Sequence, residues 1–329
     1  MIDFIQTFCS DSLDPYYNLA VEQHLMELVP ARCCILYLWQ NQNTVVIGRN
    51  QNPWRECRME LLQREGGRLA RRLSGGGAVY HDVGNLNFTF LLAESEYHVQ
   101  RQLTVVTEAC RSLGIQAELS GRNDVLVDGK KFSGNAFYKN GEKAYHHGTL
   151  MVNVDKEKLG RYLIPSKAKL EAKGVSSVRS RVANLTEFSP ELTCEKMKER
   201  MIEAFADVYG LTPRVLTKET LDHTVISTLQ ARNSSWEWIC GPQQSFTFTC
   251  EKRFPWGEVQ VQLDVKGGSI KLARVYSDSM DWTCAPRLEA CLAGIPFVKT
   301  SLLAAIQMEF QEHPVICQDL SCMFAEQEI

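Results

Sequence analysis

Three consecutive glycines, Gly75-Gly76-Gly77, follow the paired arginines Arg71-Arg72 and lead into Ala78-Val79-Tyr80-His81-Asp82. Glycine loses more backbone freedom on folding than any other residue, so three in a row imply a backbone held very close to something. With two guanidinium groups beside it, that something is expected to be anionic, since planar forks suit carboxylate or phosphate oxygens. A glycine turn between strands with surface arginines is the plainer reading of the same residues. Shortly after, Leu86, Phe88, Phe90 and Leu92 alternate with Asn87 and Thr89, the period of a half-buried strand.

At 329 residues the chain is long for one domain, so a large domain with a smaller companion is expected. A formal charge of −3 argues against a nucleic-acid binder driven by bulk electrostatics. No apolar run is long enough to span a membrane. The beginning of the chain lacks a basic stretch followed by an apolar one and carries Asp3, Asp11 and Asp14, which predicts a cytoplasmic protein. The twelve cysteines are scattered and contain no C-x-x-C spacing, so they read as reduced, packed thiols.

Asp14-Pro15 is a helix start, and Tyr17, Val21, Leu25 and Leu28 form a core stripe with His24 alongside. Residues 35–39 and 44–48 read as strands around a polar connection. Leu103 to Leu113 fit a helix stopped by Gly114, and Asp128-Gly129 is a type I′ hairpin signal between 125–127 and 131–132. Residues 145–154 give another strand, and Met197, Met201, Phe205 and Val208 a helix ending at Gly210. Past Gly241-Pro242, strands at 259–265 and 270–276 turn at Gly267-Gly268, and helices follow near 287–293 and 301–310. The expected class is α+β, with mixed, largely antiparallel sheets flanked by helices in residues 1–245 and a small α+β accessory domain in 246–329.

Four segments carry chemistry. They are the arginine–glycine loop, Gly121-Arg122-Asn123-Asp124, Lys131-Phe132-Ser133-Gly134-Asn135, and Lys173-Gly174-Val175-Ser176-Ser177-Val178-Arg179-Ser180-Arg181. Glycine and serine loops present backbone N–H groups to phosphate oxygens, and Lys or Arg balances the charge there. Neither a Walker A loop nor a dinucleotide fingerprint occurs.

Over nearly its whole length the chain resembles the two-domain bacterial lipoate–protein ligases. The motifs are SLDPYYNLAVEQHL, LYLWQNQNTVVIGRNQNPWRE, RRLSGGGAVYHDVGNLNFTF, GRNDVLVDGKKFSGNAFY, YHHGTLMVN, KGVSSVRSRVANLTE, SSWEW and FPWGEVQVQLDV. The resemblance implies a fold related to biotin ligases and class II synthetases. It also implies ATP and Mg²⁺, with lipoate or octanoate as substrate and lipoyl-AMP as intermediate. The acceptors would be lysines on lipoyl domains of 2-oxoacid dehydrogenase E2 subunits and on the glycine-cleavage H protein. The protein would be a monomer that uses neither nucleic acid nor membrane.

Residue by residue, the resemblance makes Lys131 the catalytic lysine, an electrostatic clamp on the lipoate carboxylate and the α-phosphate. Arg72, Gly77, Ala78, Val79, Tyr80, Asn123, Asp124, Lys131 and Lys173 through Ser180 fall on nucleotide-contacting positions, with Asp124 also a weak Mg²⁺ candidate. Arg71, Arg72, Ser74, Gly75, Gly76, His81, Lys131, Ser133, Gly134, His147 and Thr149 fall on lipoate-contacting ones. Leu73 stands where many relatives have a small polar residue.

Plainer readings stand beside these. Lys130-Lys131 is equally a solvated hairpin pair, and His146-His147 one exposed and one packed histidine, on opposite faces of a strand. His24 reads as structural, Arg161, Lys167 and Lys169 as a basic face, and Trp236 and Trp238 as packing anchors. The alternative enzyme is a lipoyl- or octanoyl-transferase fed by preformed lipoyl-AMP or an acyl carrier. A thiol route would need a reactive cysteine, and between Arg58 and Thr193 the sequence has only Cys110, on a helix stripe.

Overall fold

The computed structural model describes residues 2–120, 124–164, 182–241 and 246–327. The chain divides into two compact units. The first comprises residues 1–47, 54–72 and 78–239, and the second residues 48–53, 73–77 and 240–329.

The first unit is built on an eight-stranded sheet. Its strands are β1 (Phe4–Cys9), β2 (Cys33–Trp39), β6 (Asn85–Ala93), β7 (Ala117–Ser120), β8 (Asp124–Val127), β9 (Lys130–Lys139), β10 (Lys143–Met151) and β11 (Arg214–Val215). They lie in the order β11-β1-β2-β6-β10-β9-β8-β7. β1 runs parallel to β2 and β11, and the other pairings are antiparallel. A three-stranded sheet sets β3 (Thr44–Ile47) between β4 (Arg68–Arg71) and β5 (Val79–His81). The fold is therefore mixed α+β and largely antiparallel, as expected. The strands at 33–39 and 44–47 belong to different sheets, so the polar connection between them is a crossing and not a hairpin turn.

Local signals place the first helix and the key hairpin. Asp14 caps the helix Pro15–Leu28 by accepting from the Tyr16 amide at 2.8 Å. Asp128 and Gly129 have φ of 47° and 72°, the two positive values a type I′ turn requires. That turn brings Lys130 and Lys131 back along Val127 and Leu126.

Two expectations are corrected. Leu28 is exposed, and the buried helix face includes Asn18 and Glu22 instead. β6 is buried on both faces from Asn85 to Leu92, because the helices Pro15–Leu28 and Cys194–Tyr209 both pack against it. Its polar residues alternate because they join an interior network, not because one face meets water.

In the second unit, β12 (Phe248–Phe254), β13 (Gly257–Lys266) and β14 (Ser269–Ser277) form an antiparallel meander. The helices Cys284–Leu292, Lys299–Glu309 and Pro314–Ala325 close its core through Leu288, Ile306, Phe310 and Phe324. Sequence periodicity finds the first two helices and misses the third.

Candidate active site

The glycine loop makes its closest approach to protein backbone. Within the second unit, the Gly76 amide donates to the Ser279 carbonyl at 3.1 Å, and Gly76 has a φ of 87°. A Cβ on Gly75 would sit 2.3 Å from the same carbonyl oxygen, whereas one on Gly77 would meet nothing within 4 Å. Ser74 is buried, and its carbonyl accepts from the Arg49 amide at 2.9 Å. A close backbone approach therefore accounts for Gly75 and a left-handed φ for Gly76, whereas at Gly77 the described residues leave room for a ligand. Gly75→Ala is expected to destabilise the fold by about 1–3 kcal/mol through overpacking, seen as a lower thermal midpoint. Gly77→Ala should melt normally, so any loss of ATP turnover in it would report ligand approach.

The two arginines do different work. The Arg71 guanidinium donates from Nε to the carbonyls of Trp238 and Ile239, both at 3.0 Å, and the Trp238 indole N–H returns a bond to the Arg71 carbonyl at 3.0 Å. Arg71 thus pins the short helix Trp236–Ile239. Arg72 is buried in the first unit, with Nη1 3.2 Å from the Val46 carbonyl. Burial brings its pKa down to about 10, against the opposing influence of Tyr145 and Glu22.

Around Arg72 the first unit assembles a buried polar cluster. His147 Nδ1 lies 2.8 Å from Glu22 Oε1, which also accepts from the Thr89 hydroxyl at 2.7 Å. Thr89 in turn accepts from the Trp39 indole at 3.1 Å. His81 sits edge-on to the Trp39 ring, its Nδ1 3.1 Å from Asn41 Nδ2. Tyr80, next to it on β5, is buried and donates to Asn43 at 3.1 Å. Glu22, Thr89, Trp39 and Asn41 escape a reading of the sequence alone. Glu22 occupies a helix stripe that otherwise reads as core, and no local pattern announces it.

On β9, Lys131 Nζ pairs with Asp124 Oδ1 across the hairpin at 2.7 Å. Both side chains are open to solvent, 40% and 42% exposed. The ammonium lies over Gly134, where a Cβ would come within 2.9 Å of Nζ. The Gly134 amide donates to Thr149 Oγ1 at 3.2 Å, and Ser133 is fully buried. The Lys131 carbonyl accepts from the Ala183 amide at 2.9 Å. Asp124 thus spends an oxygen on Lys131, and no group of three metal-ligating side chains occurs among the described residues. That donor set suits Mg²⁺ only as a companion of ATP phosphates, which is how the ion is commonly held.

Asn123 and the whole run Lys173, Gly174, Val175, Ser176, Ser177, Val178, Arg179 and Ser180 lie outside the described residues, as do Lys167 and Lys169. Ala78 and Val79 are half-buried at the entry to β5. Arg161 is ion-paired with Glu65. His24 accepts from the Asp222 amide at 3.0 Å, a structural role. All twelve cysteines are free, and burial pushes the Cys110 thiol up to about 12. No helix among the described residues is long and apolar enough to cross a membrane.

His146 and His147 are both buried, so neither is the exposed member of the pair. They do face opposite ways, His147 toward Glu22 and His146 toward Gln102, at 3.1 Å. Burial holds His146 and His81 near a pKa of about 3. An unfolded histidine titrates near 6.5, so between these values the unfolded chain binds protons that the native chain does not. Stability is expected to be full above pH ~6.5 and to fall progressively toward pH ~3. Urea midpoints across that range check the sign, and the slope should shrink in His146→Gln.

Residues 14–206 match the family model described as the lipoyl protein ligase A/B catalytic domain, and residues 243–315 that of the bacterial lipoate protein ligase C-terminus. Among solved structures, P. falciparum LipL1 in complex with lipoate is similar at 26% identity and a TM-score of 0.85, covering 98% of this chain and 100% of that one. An archaeal bi-partite lipoate protein ligase from Thermoplasma acidophilum, described with its E2 lipoyl domain, is similar at 24% identity, with a TM-score of 0.66 and coverage of 75% and 100%. Lipoate-protein ligase A bound with ATP gives 24% identity, a TM-score of 0.63 and coverage of 73% and 99%.

Proposed function

The chain belongs to the lipoyl protein ligase A/B family, and we propose that it is a complete ATP-dependent lipoate ligase. In the first step a lipoate carboxylate oxygen attacks the α-phosphate of MgATP, giving lipoyl-AMP and pyrophosphate. In the second, the ε-amine of an acceptor lysine attacks the mixed anhydride, forming an amide and releasing AMP and a proton. The observation that carries this reading is Lys131, an accessible ammonium held by Asp124 over the open Gly134 surface. Two anionic reactants repel each other, and a fixed cation between them lowers that barrier.

In this reading Lys131 touches both the lipoate carboxylate and the α-phosphate. Gly77 through Tyr80, Asn123, Asp124 and Lys173 through Ser180 serve the nucleotide. Arg72, Ser74, His81, Ser133, Gly134, His147 and Thr149 serve lipoate, while Arg71 supports the site through the 236–239 helix. Residues 1–245 form the catalytic domain and 246–329 the accessory one. LipL1 was solved with lipoate and the archaeal ligase is described with an E2 lipoyl domain. The first supports lipoate as substrate and the second a lipoyl domain of an E2 subunit as acceptor; the H protein as a further acceptor rests on the sequence resemblance. The thioester route of a transferase has little support, because Cys110 is buried and its thiol resists ionisation.

The test is to incubate the protein with MgATP, lipoate and an apo lipoyl domain, and to weigh the acceptor. A lipoyl mass gain that needs both ATP and lipoate is expected, with lipoyl-AMP able to replace the pair. Modification from lipoyl-AMP but never from lipoate and ATP would replace the ligase reading with a transferase.

A further inference from the structure

The buried cluster contains one donor whose direction can be deduced. Asn18 Nδ2 donates to the carbonyls of Ser12 and Gln40 at 2.9 and 2.8 Å, which fixes the amide, since carbonyls only accept. Its Oδ1 accepts from the Ser10 hydroxyl at 2.7 Å and the Tyr37 hydroxyl at 3.2 Å. Asn18 Nδ2 also faces Asn41 Oδ1 at 3.1 Å. Flipping Asn41 would set two amide NH₂ groups against each other, so Asn41 turns its own Nδ2 toward His81 Nδ1. His81 Nδ1 must then accept. Burial keeps the ring neutral, which leaves its proton on Nε2. Among the described residues, His81 Nε2 is buried with no hydrogen-bond partner.

We infer that Asn18 and Asn41 form an amide relay that fixes His81 as a neutral Nε2–H donor, which selects an acyl chain bearing an acceptor, the dithiolane sulfur of lipoate, over the plain alkyl chain of octanoate. This rests on the ligase reading above. The reactive carboxylate must meet ATP at exposed Lys131. His147, part of the buried cluster, pairs with Ala136, five residues along β9 and roughly 16 Å away at strand rise. The far end of the acyl chain therefore falls to the cluster. Glu22 offsets the charge of Arg72 there, which suits an uncharged acceptor better than a second carboxylate. Octanoate would leave the Nε2–H buried and unsatisfied, the more costly outcome, whereas even a weakly accepting sulfur relieves it. His81 touches the ligand; Asn18 and Asn41 are positioning residues.

The test combines ¹⁵N NMR of the full chain with kcat/KM for lipoate and octanoate. Wild type should show His81 protonated on Nε2 and prefer lipoate about tenfold. His81→Gln, whose amide nitrogen donates from nearly the same place, should keep that preference, and His81→Leu should abolish it. Asn41→Leu should populate both tautomers and reduce the preference, with KM for ATP unmoved. If that variant does not fold, the wild-type spectrum and the His81 pair still decide. A proton on Nδ1, no preference in wild type, or a preference that survives His81→Leu would overturn the relay. If neither acid is adenylated, the ligase reading fails, while the NMR result still judges the tautomer.

Discussion

Lys131→Ala is expected to slow pyrophosphate release about 10²–10³-fold while melting almost as wild type does. The rate loss corresponds to roughly 3–4 kcal/mol, the usual consequence of removing one preorganised group from developing charge. The stability change should stay below ~1 kcal/mol, because the Lys131–Asp124 pair is about half exposed and such pairs contribute little. Lys131→Arg should rescue only in part. Arginine keeps the charge but spreads it over a planar fork, and Lys131 Nζ rests close over Gly134, where a compact ammonium fits. Steady-state pyrophosphate assays beside thermal melts separate the two effects. Near-normal release by Lys131→Ala would sink the clamp role.

Much of this molecule is legible in its sequence, and what stays hidden has physical causes. Turns and caps act locally, so Asp14, Asp128-Gly129, Gly114 and Gly210 mark their elements correctly. The alternation in Asn85–Ala93 is equally visible, but alternation alone cannot tell a polar face in water from one turned into a network. Nor can periodicity say that Glu22 is a buried partner of His147 and Thr89, since those residues lie 125 and 67 positions away. The glycine loop suggests the approach of an anion, yet Gly75 and Gly76 answer to Ser279, which no local pattern links to them. Lys131 is legible only through long motifs, because a hairpin lysine by itself looks solvated.

Glu22 is where the largest stability loss should fall. Glu22→Ala removes, at one stroke, the acceptor of His147 and Thr89 and the carboxylate whose charge supports buried Arg72. Losing the acceptor of two buried donors together with a carboxylate that offsets a buried cation should cost several kcal/mol, approaching the ~3–5 kcal/mol seen when a buried charge loses its compensation. Glu22→Gln should cost less, since an amide oxygen can still accept, but it carries no charge to balance Arg72. Thr89→Val should be milder again, as it removes one neutral partner of Glu22 and of the Trp39 indole. Urea unfolding of the three variants should therefore rank Glu22→Ala, Glu22→Gln, Thr89→Val in decreasing effect. An unchanged midpoint in Glu22→Ala would mean that water or another group already compensates Arg72, and Glu22 would then not be what stabilises the cluster. The contrast with Lys131 is the physical content of the site. One cation stands in solvent, where its removal should cost rate, and the other is buried, where loss of a carboxylate that offsets its charge should cost the fold.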